Sequence, residues 1–137
     1  MKNYLILFLT VSFLLITACD SKKPQAGNVV SLKINSNVEV IQFHSEHRCA
    51  TCLKIEKLTK ATLEKYFSGI TFRLINVDDI ANKEITEQFE AFGTSLYLYN
   101  TKTGQKKNLT DFAFMNTHNE EKYETEMKKI IEEFLNS

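Results

Sequence analysis

The sequence predicts an α/β protein in which a mixed four-stranded sheet carries helices on both faces. Three observations support this fold class. Two strand-like segments are separated by a long helical pattern, which favours a parallel pair joined by a right-handed crossover. Two later strand-like segments are separated only by a tight turn, so we expect them to run antiparallel. A final amphipathic helix completes the predicted order β-α-β-α-β-β-α.

The first half of this pattern is a strand, a helix and a second strand. Residues 38–43 (VEVIQF) have the composition of a strand. Apolar side chains recur at helical spacing from residue 50 to about residue 67, and Ser68-Gly69 ends that pattern. Residues 70–77 (ITFRLINV) are β-branched and apolar, which predicts a mostly buried strand. A looser alternation over residues 29–34 is compatible with a short additional edge strand.

The second predicted helix begins after a pair of acidic residues. Asp78-Asp79 is well suited to cap a helix N-terminus, which explains the pair better than a metal site does. We expect the inner face of this helix to contain Ile85, Phe89 and Phe92. Gly93 stands where a helix commonly ends in the left-handed conformation.

A hairpin and a helix are predicted for the rest of the chain. Residues 95–99 (SLYLY) form a strand, residues 100–104 a turn, and residues 105–110 can return as the hairpin partner. The last helix is expected to start near Thr117, because Glu120 three residues later would complete a capping box. Its apolar face contains Tyr123, Met127, Ile130, Ile131 and Phe134.

The composition is that of a folded, near-neutral protein. The chain has 137 residues, with 17 basic and 17 acidic side chains, 10 Phe and 5 Tyr. This mixture excludes intrinsic disorder, and one Pro and four Gly exclude collagen-like and low-complexity chains. Lys2 is the sole charged residue among the first 18, so the remainder carries 16 basic and 17 acidic side chains. We therefore expect one folded domain and no nucleic-acid partner.

The N-terminus has the features of a secretory signal peptide. A short basic start precedes an apolar run over residues 4–16. At 1.5 Å per residue this run is shorter than a hydrocarbon core of about 30 Å, which argues against a permanent span. Residues 16–19 (ITAC) resemble the bacterial lipobox, in which Cys19 becomes the acylated first residue. The alternative is an ordinary signal peptide followed by a chance cysteine.

These features divide the chain into three parts. We predict a lipoprotein signal peptide over residues 1–18 and a lipidated Cys19 with a polar tether over residues 19–36. The folded domain then covers residues 37–137. Such a protein would be anchored to a membrane of the bacterial cell envelope, with its domain outside the cytoplasm.

Cys49 and Cys52 form the motif that carries the chemistry. If Cys19 is lipidated, these two remain as an even pair in a chain of three cysteines. At a helix N-terminus, unpaired backbone N–H groups and the helix dipole would lower the pKa of the Cys49 thiol. Cys49 would then attack a disulfide, and Cys52, one turn further, would resolve the mixed disulfide. His47 and Arg48 are placed to tune the thiolate, although Arg48 has the alternative of being a solvated loop charge.

Residues 37–137 resemble a thioredoxin-like domain that lacks the usual first helix. The similarity runs from VEVIQFH through the CxxC helix, INVDD and SLYLY to the hairpin and the final helix. More narrowly, FHSEHRCATCLKIEKLT is similar to the ArsF-type nitrophenyl-compound nitroreductase accessory-subunit family. The resemblance implies a thiol–disulfide oxidoreductase or an electron-transfer accessory subunit. Reduction of a nitro group would need a reductase partner that carries a flavin or metal, because the chain has no flavin motif of its own.

Two positions depart from the thioredoxin pattern. Thr94 stands where that family has a cis-proline facing the cysteines, and we expect a trans bond there because a cis non-proline bond costs about 3–4 kcal/mol. Gln42 stands where thioredoxins bury an acid that accepts the proton of the resolving cysteine. The resemblance therefore implies that His44, His47 or solvent serves as the base, or that the exchange is slow. It also implies that a metal is more easily accommodated.

Two other functions compete with thiol–disulfide exchange. His44, His47, Cys49 and Cys52 are residue types that bind zinc or Cu(I) tetrahedrally, although one segment would supply all four ligands. A docking subunit whose cysteines form a structural disulfide is the third possibility. Taken alone, His44 is expected to bond to the backbone at the strand end. We predict an exchange protein with no cofactor, whose partner is a protein disulfide or dithiol, or a reductase subunit.

Overall fold

The computed structural model describes residues 37–137, which form four strands and four α-helices. The predicted signal peptide, the lipidated Cys19, the tether and the additional strand over residues 29–34 lie outside these residues. In chain order the elements are β1 (Val38–His44), α1 (Ala50–Tyr66), β2 (Thr71–Asn76), a 3₁₀ turn (Ile80–Asn82), α2 (Lys83–Phe89), β3 (Ser95–Asn100), β4 (Lys106–Asn108), α3 (Thr110–Asn116) and α4 (Glu120–Leu135).

The strands form one mixed sheet in the order β2-β1-β3-β4. β1 pairs parallel with β2 and antiparallel with β3, and β4 pairs antiparallel with β3. This arrangement confirms the predicted four-stranded mixed sheet and its parallel pair joined through α1. Because β1 ends at His44, β2 ends at Asn76 and β3 begins at Ser95, these three residues lie at the same edge of the sheet. We call this edge the site edge.

Helices cover both faces of the sheet, as the sequence predicts. Each face of the sheet has its own hydrophobic core, and alternate residues of β1 point into one or the other. Val40 packs with α1 and α4 on the first face, whereas Ile41 and Phe43 pack with Phe89 of α2 on the second face. Tyr97 of β3 completes the second core, and its hydroxyl donates a hydrogen bond to the Phe89 carbonyl oxygen at 3.0 Å. No helix within residues 37–137 is long and apolar enough to cross a membrane.

The prediction for β2 and α2 was wrong in three details. β2 is an edge strand, so it is only partly buried and Leu74 keeps 39% of its surface exposed. α2 ends at Phe89, where the Tyr97 hydroxyl binds the Phe89 carbonyl, and Glu90 rather than Gly93 takes the left-handed conformation with a φ of 52°. Phe92 consequently lies beyond the helix and is 89% exposed instead of facing the core.

The segment after the hairpin also differs from the prediction. β4 stops at Asn108, because Leu109 turns inward to donate its N–H to the Leu96 carbonyl at 2.7 Å and is buried. The following residues form α3, which the sequence did not reveal. The predicted capping box at Thr117 is absent, since the residue that caps α4 is Asn119, whose side chain accepts the N–H of Lys122 at 3.0 Å.

Candidate active site

Cys49 is the N-cap residue of α1. Its backbone is extended (φ −75°, ψ 162°), and its carbonyl oxygen already accepts the first helical hydrogen bond from the N–H of Leu53 at 3.1 Å. The Cys49 sulfur takes the place of the usual capping oxygen and accepts the N–H of Cys52 at 3.3 Å. The predicted position of Cys49 at a helix N-terminus is therefore confirmed.

The two sulfurs lie close together and differ in exposure. Cys49 Sγ and Cys52 Sγ are 2.6 Å apart, and both cysteines are free. Cys49 is exposed, whereas Cys52 keeps 5% of its surface accessible. Hydrogen bonds from the Cys52 thiol and then from the Cys52 N–H lower the pKa of the Cys49 thiol below its ordinary value. An external disulfide would therefore meet the exposed Cys49 thiol, whose pKa is lowered, first.

An amide side chain lies behind Cys52. Gln42 of β1 is fully buried, and its Nε2 donates to the Cys52 carbonyl oxygen at 3.0 Å. Its Oε1 is buried without a hydrogen-bond partner among the described residues. Gln42 therefore fixes the first turn of α1 to the sheet. Because an amide does not titrate, Gln42 cannot take up the Cys52 proton.

Thr94 contacts the second sulfur from the loop before β3. Its Oγ1 lies 3.1 Å from Cys52 Sγ, across 42 residues of sequence. Residues 37–137 contain no cis peptide bond, so the bond before Thr94 is trans, as expected from the sequence. Thr94 therefore presents a hydroxyl group to the cysteine pair.

Arg48 points along the helix to Glu56. Its Nη2 forms an ion pair with Glu56 Oε2 at 2.6 Å, and Lys60 binds the same carboxylate from the next turn. Burial alone would raise the pKa of Glu56, but the hydrogen bonds from Lys60 and Arg48 outweigh it and lower the pKa. The hydrogen bonds that lower the pKa of Cys49 come from Cys52 and from backbone N–H groups. Arg48 is paired with Glu56 instead, so its ion pair is a structural contact and not a partner of the thiolate.

The two histidines are not brought to the sulfurs. His44 Nδ1 lies 2.8 Å from the Ser45 carbonyl oxygen, which confirms the expected backbone bond at the strand end. His47 is exposed in the loop, and among the described residues no hydrogen bond joins its ring to either cysteine. Within residues 37–137 no three His, Cys, Asp or Glu side chains are grouped to hold a metal ion. The four-ligand arrangement is therefore not formed in this structure.

Two further loops border the cysteine pair at the site edge. The N–H of Val77 donates to the His44 carbonyl at 2.8 Å, and the Asp78 carboxylate accepts the N–H of Glu46 at 2.7 Å. These bonds tie the loop after β2 to the loop that precedes Cys49. Asp79 caps the 3₁₀ turn by accepting the N–H of Ala81, so the expected capping role belongs to Asp79 alone.

The strand order, the strand directions and the CxxC helix define a thioredoxin-like α/β domain. No protein-family model matches the chain, and no curated protein matches it. Among solved structures, the chain is similar to a malarial protein at 18% identity and a TM-score of 0.41, over 60% of this chain and 97% of that chain. It is also similar to thioredoxin f2 of Chlamydomonas reinhardtii at 23% identity and a TM-score of 0.40, over 62% and 82%.

A third similar structure is a thioredoxin from Thermus thermophilus, at 19% identity and a TM-score of 0.38, over 53% of this chain and 58% of that chain. These likenesses are distant. The fold is defined by the sheet of this chain itself, in which β3 runs antiparallel to β1 at the centre.

Three functional features of the site were not recognised in the sequence. The bond from the Gln42 amide to Cys52, the contact of the Thr94 hydroxyl with Cys52, and the exposure of Phe92 all depend on how distant segments meet. The thioredoxin resemblance singles out positions 42 and 94. The amide and the hydroxyl at these positions are hydrogen-bonding groups, and they are the signal in the sequence that points to the two contacts.

Proposed function

We propose that this protein is a thiol–disulfide oxidoreductase in which Cys49 is the nucleophile and Cys52 the resolving thiol. The observation that carries the proposal is the pairing of an exposed, acidified Cys49 thiol with a buried Cys52 thiol 2.6 Å away. A disulfide bond is about 2.05 Å long, so the two sulfurs can join with a small side-chain movement. The helix N-terminus supplies the N–H group that supports the Cys49 thiolate.

The proposed reaction has two exchange steps. The Cys49 thiolate attacks one sulfur of a partner disulfide, forming a mixed disulfide and releasing the other sulfur as a thiolate. The Cys52 thiolate then attacks the Cys49 sulfur, which forms the Cys49–Cys52 disulfide and releases the partner's second thiolate. Two electrons pass from the cysteine pair to the partner, and the reverse sequence oxidises a partner dithiol.

We propose a protein as the partner of this pair. Phe92 is 89% exposed in the loop that leads into β3, and Ile80 is 82% exposed at the start of the 3₁₀ turn that follows β2. Large apolar side chains in this position offer contact area to a polypeptide that carries a disulfide, whereas a small disulfide would not reach them. The resemblance to a nitroreductase accessory subunit supports a second class of partner, a reductase subunit that carries the flavin or metal.

The proposed location is the cell envelope, with a lipid on Cys19 as the anchor. The ITAC segment and the polar tether support this part of the proposal. An oxidising compartment outside the cytoplasm would also allow the Cys49–Cys52 pair to cycle between dithiol and disulfide.

Replacing Phe92 with serine is expected to weaken exchange with proteins specifically. The kcat/KM for reduction of insulin should fall about tenfold, because an apolar anchor buried on docking is worth about 1–2 kcal/mol. The rate with a small aromatic disulfide should stay within about twofold, because Cys49 and Cys52 are unchanged. Met115→Ser, which alters an exposed residue of α3 outside the site-edge loops, is the matched control and should leave both rates unchanged. An equal loss with both substrates would show that Phe92 does not act in docking.

The direct test of the proposed function is a redox titration of the Cys49–Cys52 pair, with the metal content determined on the same sample. A reversible transition between dithiol and disulfide supports exchange. Bound metal that blocks this transition supports the metal-binding alternative.

A further inference from the structure

We propose that Thr94 is a catalytic residue of the resolving step, in which its hydroxyl donates a hydrogen bond to the Cys52 sulfur and supports the thiolate that forms there. The inference rests on the proposed function, because it assigns a role within the Cys49–Cys52 exchange. It adds a residue whose contact with a reacting atom is visible in the structure.

The contact fits the hydrogen-bonding capacity of the three groups. In the reduced pair, the Cys52 S–H donates to the Cys49 thiolate, and the remaining lone pairs of Cys52 can accept a hydrogen bond. Thr94 Oγ1, 3.1 Å from Cys52 Sγ, is a hydroxyl that can supply it. The three groups thus form a chain from hydroxyl to thiol to thiolate, in which each bond polarises the next.

Within residues 37–137, no other donor forms a hydrogen bond with the Cys52 sulfur. Among the described residues, the hydrogen-bond partners of Cys52 Sγ are Cys49 and Thr94. Gln42 is uncharged and bonds to the Cys52 backbone carbonyl, not to the sulfur. Of the charged side chains in the neighbouring loops, Arg48 forms an ion pair with Glu56, and Asp78 accepts the N–H of Glu46.

The resolving step needs such a donor because it places negative charge on a buried sulfur. In the mixed disulfide, Cys49 is bonded to the partner and no longer accepts the Cys52 S–H. The Cys52 thiol must give its proton to water, and its thiolate must then attack Cys49 Sγ while the partner sulfur leaves with the bonding electrons. Thr94 Oγ1, 3.1 Å from Cys52 Sγ, is placed to donate a hydrogen bond to this sulfur as the charge develops.

The expected size of the effect follows from the hydrogen bond that is lost. Hydrogen bonds to charged groups are among the stronger ones in proteins, but part of the gain is offset because a stabilised thiolate is a weaker nucleophile. Thr94→Val should therefore slow resolution about threefold to tenfold.

The test uses the full-length chain with Cys19→Ser, so that Cys49 and Cys52 are the only thiols. The reduced protein is mixed with 5,5′-dithiobis(2-nitrobenzoate) in a stopped-flow instrument at several pH values. Attack by Cys49 releases one coloured thiolate in the first phase, and resolution by Cys52 releases the other in the second phase. We expect Thr94→Val to slow the second phase about threefold to tenfold and to leave the first phase unchanged. Thr94→Ser, which keeps the hydroxyl, should resemble the parent protein.

Three results would overturn the inference. The first is a second phase in Thr94→Val with an unchanged rate. The second is a Thr94→Ser variant as slow as Thr94→Val, since the methyl group would then matter and the hydroxyl would not. The third is a parent protein that shows no second phase, which would defeat the proposed function as well and is thereby distinguishable from the first two. Circular dichroism of each variant confirms that the fold is retained.

Discussion

Cys49→Ser is expected to lose disulfide exchange by on the order of a thousandfold or more. The thiolate is the attacking species, and the serine hydroxyl is not ionised near neutral pH. Cys49 is also the exposed member of the pair, whereas Cys52 is screened by the helix and by Thr94. The measurement is the rate of insulin reduction by the full-length chain in the Cys19→Ser background.

Cys52→Ser is the matched variant and should behave differently. It retains the Cys49 thiol and so attacks the partner disulfide, but it cannot resolve the mixed disulfide. The covalent complex should therefore accumulate and be visible by electrophoresis without reductant. If Cys49→Ser accumulated this complex instead, the roles of the two cysteines would be reversed. If neither variant lost activity, the pair would not be the reactive site.

Phe43→Ala is expected to lower the free energy of unfolding by about 3–5 kcal/mol. Phe43 is fully buried, and its ring centroid lies 5.3 Å from that of Phe89 and 5.9 Å from that of Tyr97. Truncation removes these aromatic contacts and leaves a cavity directly beneath the site edge. The measurement is equilibrium unfolding of the full-length chain by urea.

Phe92→Ala is the control for this prediction, since it removes the same phenyl ring from a side chain that is 89% exposed. Its free energy of unfolding should change by no more than about 0.5 kcal/mol. Equal destabilisation by the two variants would contradict the assignment of Phe43 to the core and of Phe92 to the surface.

Local sequence patterns were sufficient to predict the main architecture. The alternation in β1 and the helical spacing in α1 are strong because each element buries one face against a core. The same reasoning placed Cys49 at a helix N-terminus, where the structure has it. These features depend on residues that are neighbours in the chain.

The errors arose where tertiary contacts override a local pattern. α2 ends at Phe89 because Glu90 takes the left-handed conformation and the N–H of Ala91 turns back to the Thr86 carbonyl at 2.9 Å, so the pattern does not extend to Phe92. α3 is short and forms because Leu109 turns into the core, which the polar hairpin sequence does not indicate. The Thr94–Cys52 contact spans 42 residues, and no periodicity encodes it.

The central claim, that Cys49 and Cys52 are a reversible exchange pair, is tested most directly by titration of the full-length Cys19→Ser protein in glutathione redox buffers. The fraction of disulfide is measured by thiol alkylation and mass spectrometry at each ratio of reduced to oxidised glutathione. We predict a single reversible two-electron transition between about −120 and −270 mV. A potential below about −300 mV would indicate a structural disulfide and contradict the claim. Near-stoichiometric zinc or copper, with no transition until it is chelated, would contradict the claim as well.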